Sequence, residues 1–389
     1  MFTKRWEERL RRRREAGLLR TPPLITAREG KYLWIDGRRV LNFSSNDYLG
    51  LGVSATLRRQ VAGNFEKFGT SSSSSRLVAG NLAAIARAEE AYADYFGYEA
   101  ALFFPSGYQA NLGVISALFA QGDVLLFDKH LHASSVKGMA LSGAGCHGYN
   151  HNSISHLRKR LAATRQARTA VLTESLFSMD GDFLDILGLG GLKEEFGFFS
   201  IVDEAHAFGV LGERGRGLAP SVADIAVGTF GKALGLFGAF VLLPATMKEY
   251  LGNFSSPLIY STALPEAHAA SCLDVLAIIA AADEERDRLR EISSLMKSAL
   301  LAEGLQARGD AHIIAWEIGD EKRTVAMAKQ LLDRGIFAFA ARYPTVPLGR
   351  AMLRLGMTAL HTEEDAALFI AAVRDIGTLG IGKDVVANA

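Results

Sequence analysis

The sequence predicts an α/β protein: a large domain built on a mainly parallel central sheet, followed by a smaller α+β domain. Three observations carry that prediction. Short, continuously apolar runs alternate with helical stretches from about residue 55 onward, the pattern of strands buried on both faces. Each run is bounded by Gly, Pro, Asp or Ser, residues that end strands. After residue 282 a long charged helix leads into isolated strand-like pieces. The expected divisions are 1–45, an N-terminal helix and hairpin; 46–282, the large domain; and 283–389, the small C-terminal domain.

Taken in order, residues 1–30 read as a basic helix ended by Pro22-Pro23. Lys31–Ile35 and Arg39–Phe43 read as strands joined at Asp36-Gly37, a pair that suits a tight hairpin turn. Leu82–Phe96 and Asn111–Phe119 read as helices. The buried-strand runs are Ala100–Phe104, Val124–Phe127, Ala170–Thr173, Phe198–Val202, Ile225–Gly228 and Ala239–Leu243. In the C-terminal part, Asp283–Glu303 and Lys322–Arg334 read as helices, His312–Ile318 and Ile336–Ala340 as strands. There is no internal repeat, and Ser71–Ser75 is the one low-complexity patch.

Bulk properties exclude several classes. The 389 residues, 49% hydrophobic and 22% charged, make a globular chain too long for one small core. A net charge of +1 gives no electrostatic reason to expect nucleic acid or an anionic membrane as partner. The dense run Arg9–Arg14, broken by Leu10, reads as a solvated helix face. Glu15–Arg20 lacks the apolar stretch of a secretory signal, and no apolar run reaches the roughly 18 residues of a membrane span. Cys146 and Cys272 are too few for a disulfide framework. The expected compartment is the cytoplasm.

In a parallel sheet, ligands bind at the carboxyl ends of the strands, so the polar residues that follow each run are the candidates. After Ile225–Gly228 come Thr229-Phe230-Gly231-Lys232-Ala233-Leu234-Gly235. Glycines on both sides let the backbone approach a flat ligand. Phe230 and Leu234 are expected to wall the Lys232 amine, lowering its pKa and freeing it for imine chemistry; a plain surface lysine is the alternative. Phe198–Val202 delivers Asp203, with His206 three residues on. Such an acid can cap a turn, or pair with a protonated pyridine nitrogen as pyridoxal 5'-phosphate (PLP) requires.

Ser106-Gly107-Tyr108 opens a helix after a strand, either a plain helix start or a phosphate site at free backbone N–H groups. His130-Leu131-His132 places two imidazoles after another strand. No further ligands cluster at metal spacing, so His132 is expected to stack on a planar cofactor while His130 points away. Gly143-Ala144-Gly145-Cys146-His147-Gly148 fits a dinucleotide fingerprint. It follows a helical stretch rather than a strand, and no acid lies about 20 residues on. It is rejected.

Together with Asn46-Asp47-Tyr48-Leu49-Gly50-Leu51, Ser178-Met179-Asp180-Gly181, Pro344-Thr345-Val346-Pro347 and Leu353-Arg354-Leu355, these segments resemble the α-oxoamine synthases, a branch of the fold-type-I PLP enzymes. The resemblance covers nearly the whole chain. It implies that Lys232 is the Schiff-base lysine, that Asp203 pairs with the pyridine nitrogen, and that His132 stacks on the ring. Ser178 and His206 are implied near the phenolic oxygen. The phosphate would be held by Ser106, Gly107, Tyr108 and Thr229, and by Thr262 of a second subunit in a homodimer. Asn46 and Arg354 would hold the amino-acid carboxylate, with Arg20 and Arg342 near the acyl substrate. The implied reaction is decarboxylative condensation of L-alanine with an acyl thioester, pimeloyl on coenzyme A or a carrier protein, as in biotin synthesis. Glycine-using members of the family and a PLP aminotransferase are the alternatives. Two departures bear on the acyl donor: Ser71–Ser75 and Leu236-Phe237-Gly238-Ala239 stand where the family is richer in glycine.

Overall fold

The computed structural model describes residues 2–164 and 168–377, which form two units. The first comprises Leu49–Ser178 and Phe183–Arg286. Its centre is a seven-stranded sheet in the order Ala100–Phe104, Ala239–Leu243, Ile225–Thr229, Phe199–Asp203, Arg168–Glu174, Asp123–Asp128 and Gly145–Tyr149. Ala239–Leu243 runs antiparallel to both neighbours; the other pairs are parallel. The six predicted runs all fall on strands, because strands covered on both faces must be apolar at successive positions. Every residue of Ala100–Phe104 and of Ala239–Leu243 is buried.

The seventh strand, Gly145–Tyr149, was not expected. It is a largely exposed edge strand, so its sequence carries no apolar run. Gly143 ends the preceding helix Ala133–Ser142 in the left-handed conformation, φ 75°. The spaced glycines there serve a helix end and an edge strand. The helix predicted from Asn111 begins at Gly107, ahead of its apolar periodicity.

Behind the sheet, Tyr92, Phe103, Phe230 and Phe240 pack edge-on or tilted with ring centroids 4.9–5.4 Å apart. Phe208 joins them 5.3 Å from Phe240. Gly228 lies under these rings: a Cβ there would stand 2.3 Å from Phe240 Cζ and 2.7 Å from Phe208 Cδ2. The absence of a side chain is what lets the aromatic layer press onto the Ile225–Thr229 strand.

The second unit comprises residues 2–48, 179–182 and 287–377. The expected hairpin forms between Tyr32–Ile35 and Arg38–Asn42, and Asp36 and Gly37 take φ of 49° and 73° in its turn. Ile25–Glu29 extends it on one side and Ile336–Phe337 pairs parallel on the other. A second, antiparallel sheet holds Ala307–Arg308, Ile313–Gly319, Ala351–Gly356 and Phe339–Ala341. The predicted strand 336–340 is therefore two short strands in different sheets. Phe2–Glu15 is a helix with no buried residue, its Arg11 and Arg12 paired with Glu8. Among the described residues no helix is long and apolar enough to cross a membrane.

Gly228→Ala is expected to destabilise the protein by roughly 1–3 kcal/mol, the usual cost of overpacking a rigid core. Gly231→Ala, at an exposed site whose nearest neighbour would be 3.5 Å away, should change stability by less than about 0.5 kcal/mol. Urea unfolding midpoints of the two variants check the contrast.

Candidate active site

Parallel pairing brings the carboxyl ends of three strands to one rim. Glu174 is in register with Asp203, and Asp203 with Val227. A cavity of about 200 Å³ opens there. Lys232, Asp203, His206 and His132 line it, with Gly107, Tyr108, Ser178 and Thr229. Segments spread over more than 120 residues thus meet at one place.

Asp203 is buried, and both of its oxygens are held. Asn111 Nδ2 donates to Oδ2 at 2.8 Å, and the Ala205 N–H donates to Oδ1 at 2.9 Å. The second Asn111 hydrogen goes to Ser134 Oγ at 3.1 Å, and that hydroxyl lies 2.7 Å from His132 Nδ1. The Ser134 N–H also reaches Nδ1, at 3.3 Å. With Nδ1 accepting, the ring proton sits on Nε2. Burial pushes the His132 pKa below its ordinary value, against the opposing pull of Asp203. The ring is a neutral, fixed plane.

Lys232 Nζ lies 2.7 Å from His206 Nε2. The expected apolar wall is not its surroundings. Phe230 and Leu234 are fully buried and absent from the cavity lining; Phe230 belongs to the aromatic layer, 5.4 Å from Tyr92. Of the two flanking glycines, Gly235 is the one that the backbone demands. Its φ is +67°, and a Cβ would meet Gly52 N at 2.5 Å.

At the other end of the cavity, Gly107 starts a 12-residue helix, whose free N–H groups and dipole can hold an anion. Ser106 is the helix cap, its Oγ accepting from Gln109 N at 3.2 Å, and it does not line the cavity. Thr229 Oγ1 donates to Gly238 O at 3.0 Å and accepts from Gly231 N at 3.1 Å. Thr262 is elsewhere, bridged to Ser75. The serine patch is ordered by that pairing: Ser72 Oγ donates to Ala263 O at 2.7 Å, and Ala263 N to Ser74 O at 2.9 Å.

His130 turns from the cavity and stacks on His151, centroids 3.9 Å apart.

In the second unit, Arg354 Nη2 donates to Tyr48 OH at 3.3 Å, and that hydroxyl donates to Asn46 Oδ1 at 3.1 Å. Asn46 and Arg354 are therefore brought together through Tyr48, a link that sequence reasoning missed. Arg342 donates to the carbonyls of Gly17 and Leu19, and Arg20 to Thr345 Oγ1 at 2.9 Å. Both arginines tie down the segment after the first helix.

Asn111 and Glu174 also line the cavity and went unassigned. Each had a signal. Asn111 lies one helical turn after Gly107, and Glu174 is the polar residue that ends a buried run, the criterion that found Asp203. Burial, followed by the charge of Asp203, raises the Glu174 pKa to about 8.

The residue set fits PLP. An amine, a buried and oriented carboxylate, a flat neutral ring and an anion-binding helix start surround one cavity. An added Cβ on Gly107 would point toward Thr229, 4.0 Å from its Cβ, so the bare glycine leaves that end open.

The family model for aminotransferase class I and II matches residues 38–373. An 8-amino-7-oxononanoate synthase of Geotalea daltonii is 38% identical over 380 residues, 95% of this chain and 97% of its own length. One from Chlorobaculum parvum is 39% identical over 378 residues, 94% and 96% of the two chains. The solved serine palmitoyltransferase of Sphingomonas wittichii superposes with a TM-score of 0.90 at 29% identity, covering 95% of this chain and 98% of that one. The chain belongs to the aminotransferase class I and II family and, within that PLP-dependent fold, to the α-oxoamine synthases, which are acyltransferases.

Proposed function

We propose that this enzyme condenses L-alanine with a pimeloyl thioester, releasing carbon dioxide and the thiol and forming 8-amino-7-oxononanoate for biotin synthesis. The observation that carries the chemistry is the meeting of the Lys232 amine, the held Asp203 carboxylate and the neutral His132 ring at one cavity. The choice of substrates is supported by the curated relatives of 38–39% identity, named for that product.

When bound, PLP supplies an electron sink that stabilises negative charge at the amino acid's Cα. Lys232 is the group that binds the cofactor aldehyde and later takes and returns the Cα proton. Asp203, fixed by Asn111 and the Ala205 N–H, keeps the proton on the pyridine nitrogen. His132 offers its face as a stacking plane, held in one tautomer by Ser134. His206, 2.7 Å from the lysine amine, and Ser178 act near the phenolic oxygen. The Gly107 helix start, Tyr108 and Thr229 hold the phosphate, with Ser106 fixing the helix start by its cap. Asn46 and Arg354, held together by Tyr48, receive the substrate carboxylate; Arg20 and Arg342 shape the acyl side through the segment that they tie down.

A homodimer belongs to this reading, with Thr262 serving the partner's phosphate. Its support here is a set of exposed apolar side chains in the same unit: Tyr260 and Val78 are each 79% exposed and Phe254 is 61% exposed. A cytoplasmic location is part of the reading, supported by two free cysteines, Cys146 and Cys272.

Three experiments test it. Lys232→Ala should lower turnover by at least about 10³-fold, and borohydride should no longer fix the cofactor to the chain; near-normal turnover ends the proposal. Asp203→Asn should keep the fold but slow exchange of the alanine Cα proton by roughly 10²-fold, read by NMR in deuterated water; an unchanged rate removes its assigned role. Enzyme with PLP, given alanine, glycine or serine and a panel of acyl thioesters on coenzyme A or carrier protein, should yield 8-amino-7-oxononanoate by mass from alanine and the pimeloyl donor. A product from glycine or serine alone would move the chain to another member of the family.

A further inference from the structure

Glu174 has no part in the chemistry above, yet it stands among the groups that perform it. It is 2% exposed, lines the cavity, and is in register with Asp203 on the neighbouring strand. Its oxygens are unequal. Oε2 accepts the Ser178 N–H at 3.1 Å, and the His132 backbone N–H also donates to this carboxyl. Oε1 is enclosed and has no hydrogen-bond partner among the described residues. A buried anion left so, beside a second carboxylate, is costly. A proton on Oε1 removes the charge and converts the orphan acceptor into a donor. The two amides occupy the accepting side, so the O–H has only the cavity to serve.

We propose that Glu174 is a neutral carboxylic acid that donates a hydrogen bond from Oε1 to an acceptor oxygen of the cavity's occupant, either the cofactor's phenolic oxygen or the acyl carbonyl of the thioester. The inference rests on the function proposed above for the nature of that occupant, but not for the protonation itself. The surrounding charges agree: burial and Asp203 hold the proton on, Lys232 and the two backbone amides oppose, and the balance places the pKa at about 8. The remaining titratable groups facing the cavity are His132, whose pKa burial lowers, His206 and Tyr108. The same carboxyl ties the loop carrying Ser178 to the helix start carrying His132, so it positions two cavity residues while presenting its own proton.

The test begins without substrate. An infrared difference spectrum of wild type against Glu174→Gln, at neutral pH, should contain the carbonyl band of one protonated carboxylic acid, and that band should fade as the pH passes about 8. No such band at neutral pH overturns the proposal, whatever the enzyme's substrates prove to be. Glutamine keeps a carbonyl for the two amides and an N–H₂ to donate inward, whereas leucine keeps neither. Glu174→Gln should therefore lose less than about tenfold in turnover and lack the wild-type decline above pH 8, while Glu174→Leu loses roughly 10²-fold or more. Equal losses in the two variants, both folded by circular dichroism, also overturn it. The acceptor is then distinguished in the leucine variant. A shifted cofactor absorbance before substrate assigns the phenolic oxygen. An unshifted absorbance, with normal alanine Cα exchange but slow condensation, assigns the acyl carbonyl. If no condensation product forms with any thioester while the infrared band is present, the functional reading fails and the assignment of the Glu174 proton stands.

Discussion

The site depends on the register of three parallel strands. Because Arg168–Glu174, Phe199–Asp203 and Ile225–Thr229 run the same way and pair in step, their last residues reach one rim together. Charged side chains are costly inside a doubly covered sheet, so none of the three strands carries a carboxyl before its end. The buried mid-strand hydroxyl of Ser200 is satisfied by Val222 O; the rim takes each strand's last residue. Glu174, Asp203 and Thr229 are those residues. A shift of one position in any strand would turn its terminal side chain to the other face.

Rigidity behind the rim has a separate source. Phe230, next to the strand that precedes Lys232, is fully buried and packs against Tyr92, Phe103 and Phe240. The chain then turns back through Gly235, whose left-handed conformation and contact with Gly52 leave no room for a side chain. The lysine is thus carried on a short turn anchored by an aromatic residue on one side and a required glycine on the other. Its amine has His206 as a polar neighbour, not a hydrophobic wall. An imidazole at 2.7 Å can exchange a proton with it; a phenyl ring could only exclude water.

Polar order in the cavity is indirect. Asn111 uses one amide group to orient the Asp203 carboxylate and, through Ser134, the His132 ring. A buried network of this kind is stable only when every member is satisfied, and here the oxygen left over is Glu174 Oε1. In the second unit the same economy recurs, with Tyr48 bridging Asn46 and Arg354.

The buried strands, the Asp36-Gly37 hairpin and the helix Ala83–Phe96 were legible in the sequence, because burial on both faces, positive φ and a 3.6-residue period each impose residue types that local reading detects. Lys232, Asp203, His132 and His206 were legible for a related reason: each follows directly on a buried strand or the turn after one. Tertiary structure alone decided the rest. The exposed edge strand Gly145–Tyr149 needs no apolar run, Ile336–Ala341 divides between two sheets, and Phe230 chooses the core over the lysine. Asn111, Glu174 and Tyr48 acquire meaning only from partners 23 to 306 residues away, or from a neighbouring strand, and distance along a chain says nothing about which hydrogen bonds folding will close.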